Sequence, residues 1–371
     1  MPYALGLQTS TGYKKMDSNF DNKMPMRGVF YALLASFLFG ITTPMAKALL
    51  QDTMPILLAG LFYLGSGVGL ALCLLLGGKA KLAESGPSLK RADFPWLAGA
   101  VFAGGIVAPV LLMLGLATAQ ASAASLFLNC ESVFTALIAW FVFKENFDKR
   151  ILLGMFVIVL GGVLLSVDFT SGFALSNGVL LITTACIGWA VDNNLTRKIS
   201  NSNPAQIACI KGLVSGVTNC ALALFLGAKI PSFLVIAESM SIGFLGYGVS
   251  LVLFVLALRH IGTARTGAYF GLAPFVGAIV AIIFLRETVS LPLVVAAVLM
   301  GIGLWLHLTE EHSHEHEHDE IEHEHEHVHD EHHQHDHCSD DPPGEPHIHK
   351  HKHQKLRHTH PHFPDSHHDH H

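Results

Sequence analysis

Ten apolar runs of 18 to 24 residues fill most of positions 28–308, and no other feature restricts the fold as tightly. They cover 28–50, 55–77, 95–118, 122–143, 151–168, 177–196, 205–227, 240–258, 266–286 and 291–308. A helix needs about 20 apolar residues to cross the hydrocarbon core of a bilayer. In lipid every backbone N–H and C=O must find an internal partner, which leaves helices or closed barrels. Continuous runs of this length predict an all-α membrane protein of ten transmembrane helices. The breaks hold the turn formers, among them Gln51–Pro55, Ser200–Pro204, Gly227–Pro231 and Arg286–Pro292.

Charge divides the chain. Only 14% of residues are charged, and positions 309–371 hold 17 of the 29 acids and 23 of the 25 histidines. The expected organisation is a leader at 1–27, a first five-helix unit at 28–168, a second at 169–308, and a His/Asp/Glu-rich tail at 309–371. The leader is polar and basic, and the first apolar run has no clean small-residue cleavage site after it, so it reads as helix 1 and not as a signal peptide.

Loop charge sets orientation. With the N-terminus inside, fifteen basic residues fall on the inside, including Arg27, Lys90, Arg91, Lys149, Arg150, Arg197 and Lys198. Only Lys47, Lys229 and Arg286 fall outside. The expectation is a multi-pass inner (cell) membrane protein with both termini cytoplasmic.

The chain also repeats itself. Residues 124–147 (ASLFLNCESVFTALIAWFVFKENF) align without gaps on 266–289 (TGAYFGLAPFVGAIVAIIFLRETV) at an offset of 142, matching Glu145 with Glu287. The same offset carries Gly161 onto Gly303, and 35–44 weakly matches 185–194 at an offset of 150. An odd number of helices per copy inserts the second copy upside down, the inverted-repeat plan of secondary transporters.

The motifs LNCESVFTALIAWFVFKE (128–145) and GLAPFVGAIVAIIFLRE (271–287), set in a five-plus-five layout, resemble the EamA family of the drug/metabolite transporter superfamily. The resemblance covers about 28–308 and implies alternating-access transport of a small solute. The chain departs from the family pattern in two ways. Ser132 stands where the second copy keeps Pro274, and Lys144 and Arg286 stand where glycine is common before the closing acid.

Ionisable groups in lipid cost about 2.5–3.5 kcal/mol each on insertion scales, so each needs a reason. Three stand out. Glu131 lies mid-span, beside Asn129 and Ser132. It reads either as a protonatable group coupling solute movement to a proton gradient or as a carboxylic acid bonded to a neighbouring helix. Asp192 and Lys211 lie one to two turns from the inside edge of their spans, and they read as an interfacial ion pair or as two charges facing a cavity. Asn193, Trp189, Tyr247, Tyr269 and Gln120 are candidate cavity linings, and spans 1, 3, 4, 6, 8 and 9 are expected to supply the cavity walls. For the aromatic residues, packing is the competing reading.

The tail alternates imidazole with carboxylate at His312, His314, His316, His318, His323, His325, His327, His329, His332, His333, His335 and His337, and Cys338 follows. Imidazole suits nickel, zinc, cobalt and copper. With so few apolar residues the tail is expected to be disordered without metal. Three readings stay open for it: a sensor or donor for a divalent-metal transporter, a passive buffer, and low complexity without a selected role. Against metal as cargo, the body has only His260 and His307, both near helix ends. The other five cysteines lie in apolar runs without CxxC spacing and read as small hydrophobes.

No GxxxxGK[ST], HExxH or catalytic-triad pattern occurs, so an enzyme is not expected. The leading reading is an exporter of small metabolites such as amino acids. The alternative is a divalent metal transporter or metal-sensing membrane protein. No cofactor is required by either reading, beyond nickel, zinc, cobalt or copper held by the tail. The partners expected are the lipid bilayer, a small-molecule solute and divalent metal ions, with no nucleic acid. A homodimer is left open.

Overall fold

A computed structural model describes residues 23–76, 87–143, 149–166, 176–199 and 202–308, and in the tail only the backbone of four short stretches. The body is all helical. Its helices are α1 (Lys23–Gly40), α2 (Thr42–Leu49), α3 (Pro55–Leu76), α4 (Phe94–Ala100), α5 (Ala108–Thr118), α6 (Ala121–Phe127) and α7 (Cys130–Phe143). There follow α8 (Lys149–Ser166), α9 (Asn177–Arg197), α10 (Pro204–Phe225), α11 (Phe233–Gly243), α12 (Ser250–Phe270), α13 (Ala273–Phe284) and α14 (Leu291–Leu308). Two π-helical segments, Val101–Val107 and Phe244–Val249, join α4 to α5 and α11 to α12.

Seven of the ten expected spans are long and apolar enough to cross a membrane among the described residues. The expected span at 177–196 is α9, whose Asp192, Asn193, Asn194 and Arg197 lower its hydropathy. The one at 266–286 is interrupted at Gly271–Leu272, leaving twelve residues in α13. The one at 291–308 is apolar over Leu291–Leu306 but short. The boundary expected between 258 and 266 is crossed by the continuous α12.

Loop residues start and stop these helices. Ser176, Asn203 and Ser232 cap α9, α10 and α11 by accepting N–H bonds from the first turns. Gly227, at φ 85°, ends α10 in the left-handed region, with Ala228 N–H donating to Ala223 O at 2.9 Å. The helices then run alternately between two ends of the bundle. One end is marked by Gln51, Gln120 and Glu287, the other by Arg27, Arg91, Arg150 and Arg197.

Polarity is reversed relative to a water-soluble domain. Large apolar side chains such as Phe37, Phe102, Phe156, Phe225, Phe284 and Trp305 face outward, while Asn129, Asp192, Asn194, Ser215 and Asn219 are buried. Lipid tails solvate the former at no cost, so packing must come from close helix contact. At the α3–α10 crossing a Cβ on Gly212 would fall 2.6 Å from the Gly67 nitrogen, closer than side chains approach backbone. At α8–α14 a Cβ on Gly303 would fall 2.7 Å from the Gly154 carbonyl oxygen.

The tail forms a second compact unit, Glu310–His368, described here by its backbone alone. Strand β1 (His312–His318) pairs antiparallel with β4 (Leu356–His362), and β2 (Glu322–His327) with β3 (His347–Lys352). The alternation of the sequence suits a period-two strand, and the register sets Glu324 opposite Lys350 and Glu317 opposite Arg357.

Candidate functional site

Two helix interruptions build the site. The first separates α6 from α7 at Leu128–Asn129. Leu128 and Asn129 N–H donate to Ser125 and Leu126 O at 3.1 and 3.0 Å, a tighter i to i−3 turn. Asn129 Nδ2 donates to Leu126 O at 3.0 Å and Ser132 Oγ to Asn129 O at 2.7 Å, so side chains add a second bond to carbonyls that the tight turn already holds. The second separates α12 from α13 at Gly271–Leu272. There Pro274 lacks the N–H that would bond back to Phe270, and it sits in the first turn of α13.

Between the two breaks, and toward the Arg197 end, lies a cavity of about 470 Å³. That is within the range of small-molecule sites. Its polar wall includes Asn129, Glu131, Ser132, Thr135, Asn193 and Arg197. Its apolar wall includes Phe39 from α1, Phe270 from α12 and Leu304 from α14. Asn193 Nδ2 donates to Glu131 Oε1 at 2.7 Å and lies 3.3 Å from Thr135 Oγ1. Asn194 Nδ2 donates to Thr135 O at 3.1 Å and to Ala190 O at 2.9 Å. One carboxyl, several amides and hydroxyls, and two aromatic rings can hold a small polar solute that carries an apolar part.

A second polar cluster lies off the cavity. Lys211 of α10 forms an ion pair with Asp192 of α9, with side chains 18% and 4% exposed. Thr196 Oγ1 donates to the other Asp192 oxygen at 3.0 Å. Gly104 and Gly105 of the first π segment pack directly on Asp192 and Ser215, where a Cβ would have no room. A π turn leaves carbonyls off the helical ladder, and side chains from three other helices take them up. Tyr63 Oη and Trp189 Nε1 donate to Gly104 O at 2.7 and 3.0 Å. Asn219 Nδ2 donates to Gly105 O at 3.2 Å and lies 3.4 Å from Ile106 O.

The structure therefore sorts the candidates. Glu131, Asn129 and Asn193 line the cavity. Asp192, Lys211 and Trp189 belong to the buried cluster around the π segment. Tyr247 packs among rings, its centroid 5.3 Å from Tyr63, 5.8 Å from Phe39 and 5.9 Å from Phe62. Tyr269 is half-buried beside the second break and is not in the cavity wall, and Gln120 sits at the far end as the first residue before α6. Spans 3 and 8 supply none of the lining residues, because their π segments pack against other helices, and Leu304 of α14 lines it instead. Phe39 and Phe270 carry no polar signal to mark them as lining, whereas Thr135 is polar one turn beyond Glu131 and Arg197 reads from the sequence only as an inside-loop charge. Among the tail candidates, His312, His314, His316 and His318 lie on β1 and His323, His325 and His327 on β2. His329, His332, His333, His335 and His337 lie outside the described residues, as do all tail side chains. Among the described residues no group of His, Cys, Asp or Glu could hold a metal.

A helical bundle with apolar flanks, interrupted helices and a polar hollow between the interruptions is a multi-pass membrane protein. The chain belongs to the EamA-like transporter family, whose model matches residues 26–167 and again 176–309. It is 27% identical over 292 residues to an "Uncharacterized transporter" of Methanothermobacter thermautotrophicus, covering 75% of this chain and 85% of that protein. It is 25% identical over 311 residues to a "Probable amino-acid metabolite efflux pump" of Salmonella typhimurium, covering 76% and 95%. A crystal structure superposes with a TM-score of 0.56 at 16% identity, covering 76% of this chain and 97% of its own, which shows a shared fold.

Proposed function

We propose that the protein is a secondary transporter that exports small metabolites of the amino-acid kind by alternating access, with Glu131 as its coupling carboxyl. The observation that carries this reading is the placement of Glu131, held by Asn193 at 2.7 Å, in a polar cavity between two broken helices. Discontinuous helices around a mid-membrane hollow are how many secondary transporters build a site. The two family-model segments support an inverted-repeat architecture of two five-helix units at 28–168 and 169–308. Loop charge supports an inner-membrane location with both termini cytoplasmic, which sets the cavity toward the cytosol.

The family relative named as an efflux pump supports export and an amino-acid-like solute. The tail supports an accessory role: its histidines bind nickel, zinc, cobalt or copper while the body moves another solute. Inside-out vesicles carrying the full chain or a chain lacking 312–371 test both parts. Proton-driven uptake of amino-acid-type solutes by both chains is expected. Metal-dependent uptake in the full chain alone would favour the metal-transport alternative.

A further inference from the structure

At the Gln120 end, the bend between α5 and α6 is gripped from two directions by opposite charges. Lys47 Nζ, from the end of α2, donates to Leu116 O at 2.8 Å and lies 3.3 Å from Ala117 O, among the last carbonyls of α5. The Glu287 carboxylate, beyond α13, accepts from Ala121 N–H at 2.6 Å and Ser122 N–H at 2.8 Å in the first turn of α6. Each terminus thus receives the sign that its dipole attracts. Gln120 makes no side-chain cap of its own, so the cap of α6 comes entirely from another span. Lys47 and Glu287 also lie within each other's electrostatic reach.

The backbone is bent to place that carboxylate. Arg286, at φ 54°, is the one described non-glycine residue with positive φ. It occupies the position after the α13 cap that glycine fills after α10, and a residue with a Cβ takes that conformation at a cost. Such strain persists where the surroundings hold it, commonly at a functional point. One turn inside the clamp, α1, α6 and α13 touch: a Cβ on Gly277 would lie 2.7 Å from both Gly40 O and Ser125 Oγ. Ala121, Ser122 and Ser125 are sealed from solvent. Around Ser125 and Gly277 the three helices close on one another, while the cavity between the breaks lies toward the other end.

We propose that Lys47 and Glu287 form the clamp that closes the Gln120 end, and that passage of solute to that side requires Glu287 to release Ala121 and Ser122. The inference rests on the transport reading, but its test needs no solute, so the two fail separately. A single cysteine at Ser125, in a full chain whose natural cysteines are replaced, is labelled with a membrane-impermeant thiol reagent from the Gln120 side. The parent labels slowly. Glu287→Gln and Lys47→Met each raise the rate, Glu287→Gln by roughly tenfold, the shift expected on losing one charge-assisted hydrogen bond. Labelling at the parent rate in a folded Glu287→Gln protein overturns the proposal. Should that variant not fold, Arg286→Gly keeps the carboxylate and removes the strain of the closed form. It must label more slowly than the parent, and an unchanged or faster rate also overturns the clamp.

Discussion

Asn193 Nδ2 reaches across from α9 to Glu131 Oε1 at 2.7 Å, joining the one carboxyl group in the cavity wall to a neutral amide and not to a cation. An amide can donate to the carboxylate and accept from the carboxylic acid, so the pair tolerates gain and loss of a proton. That property is what a coupling site needs, and it makes the first prediction direct. Glu131→Gln keeps shape and hydrogen bonding but cannot exchange a proton. Proton-driven flux should fall to background while membrane insertion and monodispersity are retained. Undiminished flux in vesicles would falsify the coupling role.

The Asp192–Lys211 pair is buried beside the π segment and does not line the cavity. Removing one member leaves an unpaired charge, which costs about 3–5 kcal/mol at a buried site. Asp192→Asn and Lys211→Met should each lower the melting temperature in detergent by many degrees. The double variant should recover much of the loss. Additive losses in this cycle would show that the two charges do not stabilise one another.

Close approach at the α3–α10 crossing depends on glycine. Gly212→Val places its Cβ against the Gly67 backbone, with no flexible side chain to yield. Overpacking of this kind typically costs about 1–3 kcal/mol, and backbone-to-backbone contact puts this site at or above the upper end. Yield of folded protein after extraction should drop sharply, whereas Val217→Leu, on the half-exposed lipid-facing side of the same helix, should behave as the parent.

Metal binding should reside in the tail alone. Neutral imidazole is the ligand, so bound nickel or zinc should be released on acidification as the histidines protonate. Deleting 312–371 should abolish metal retention on equilibrium dialysis and leave solute flux unchanged. Retention by the truncated chain would place a metal site in the membrane body.

Much of this architecture is legible in the amino-acid order because lipid leaves few options. Apolar runs mark where the helices lie, and Glu131 and Asn193 announce themselves as polar residues where water is absent. Other features are invisible to that logic. Trp189 and Tyr63 look like packing aromatics, and only the π turn at Gly104 gives their polar atoms a purpose. The break at Gly271–Leu272 has Pro274 as a signal, but the break at Leu128–Asn129 depends on how Asn129 and Ser132 fold back onto nearby carbonyls. Glu287 reads only as an acid at a membrane edge, because its partners lie 165 and 166 positions away.

The interruption at Leu128–Asn129 turns what would have been one pillar into two levers. The short one, seven residues long, is tethered at its free tip by Glu287, and the longer one bears Glu131 close to the joint. The joint, held by the i to i−3 bonds of Leu128 and Asn129, stands between the tip and the carboxyl. Joining the levers into one rigid rod would tie those two acids to a single motion.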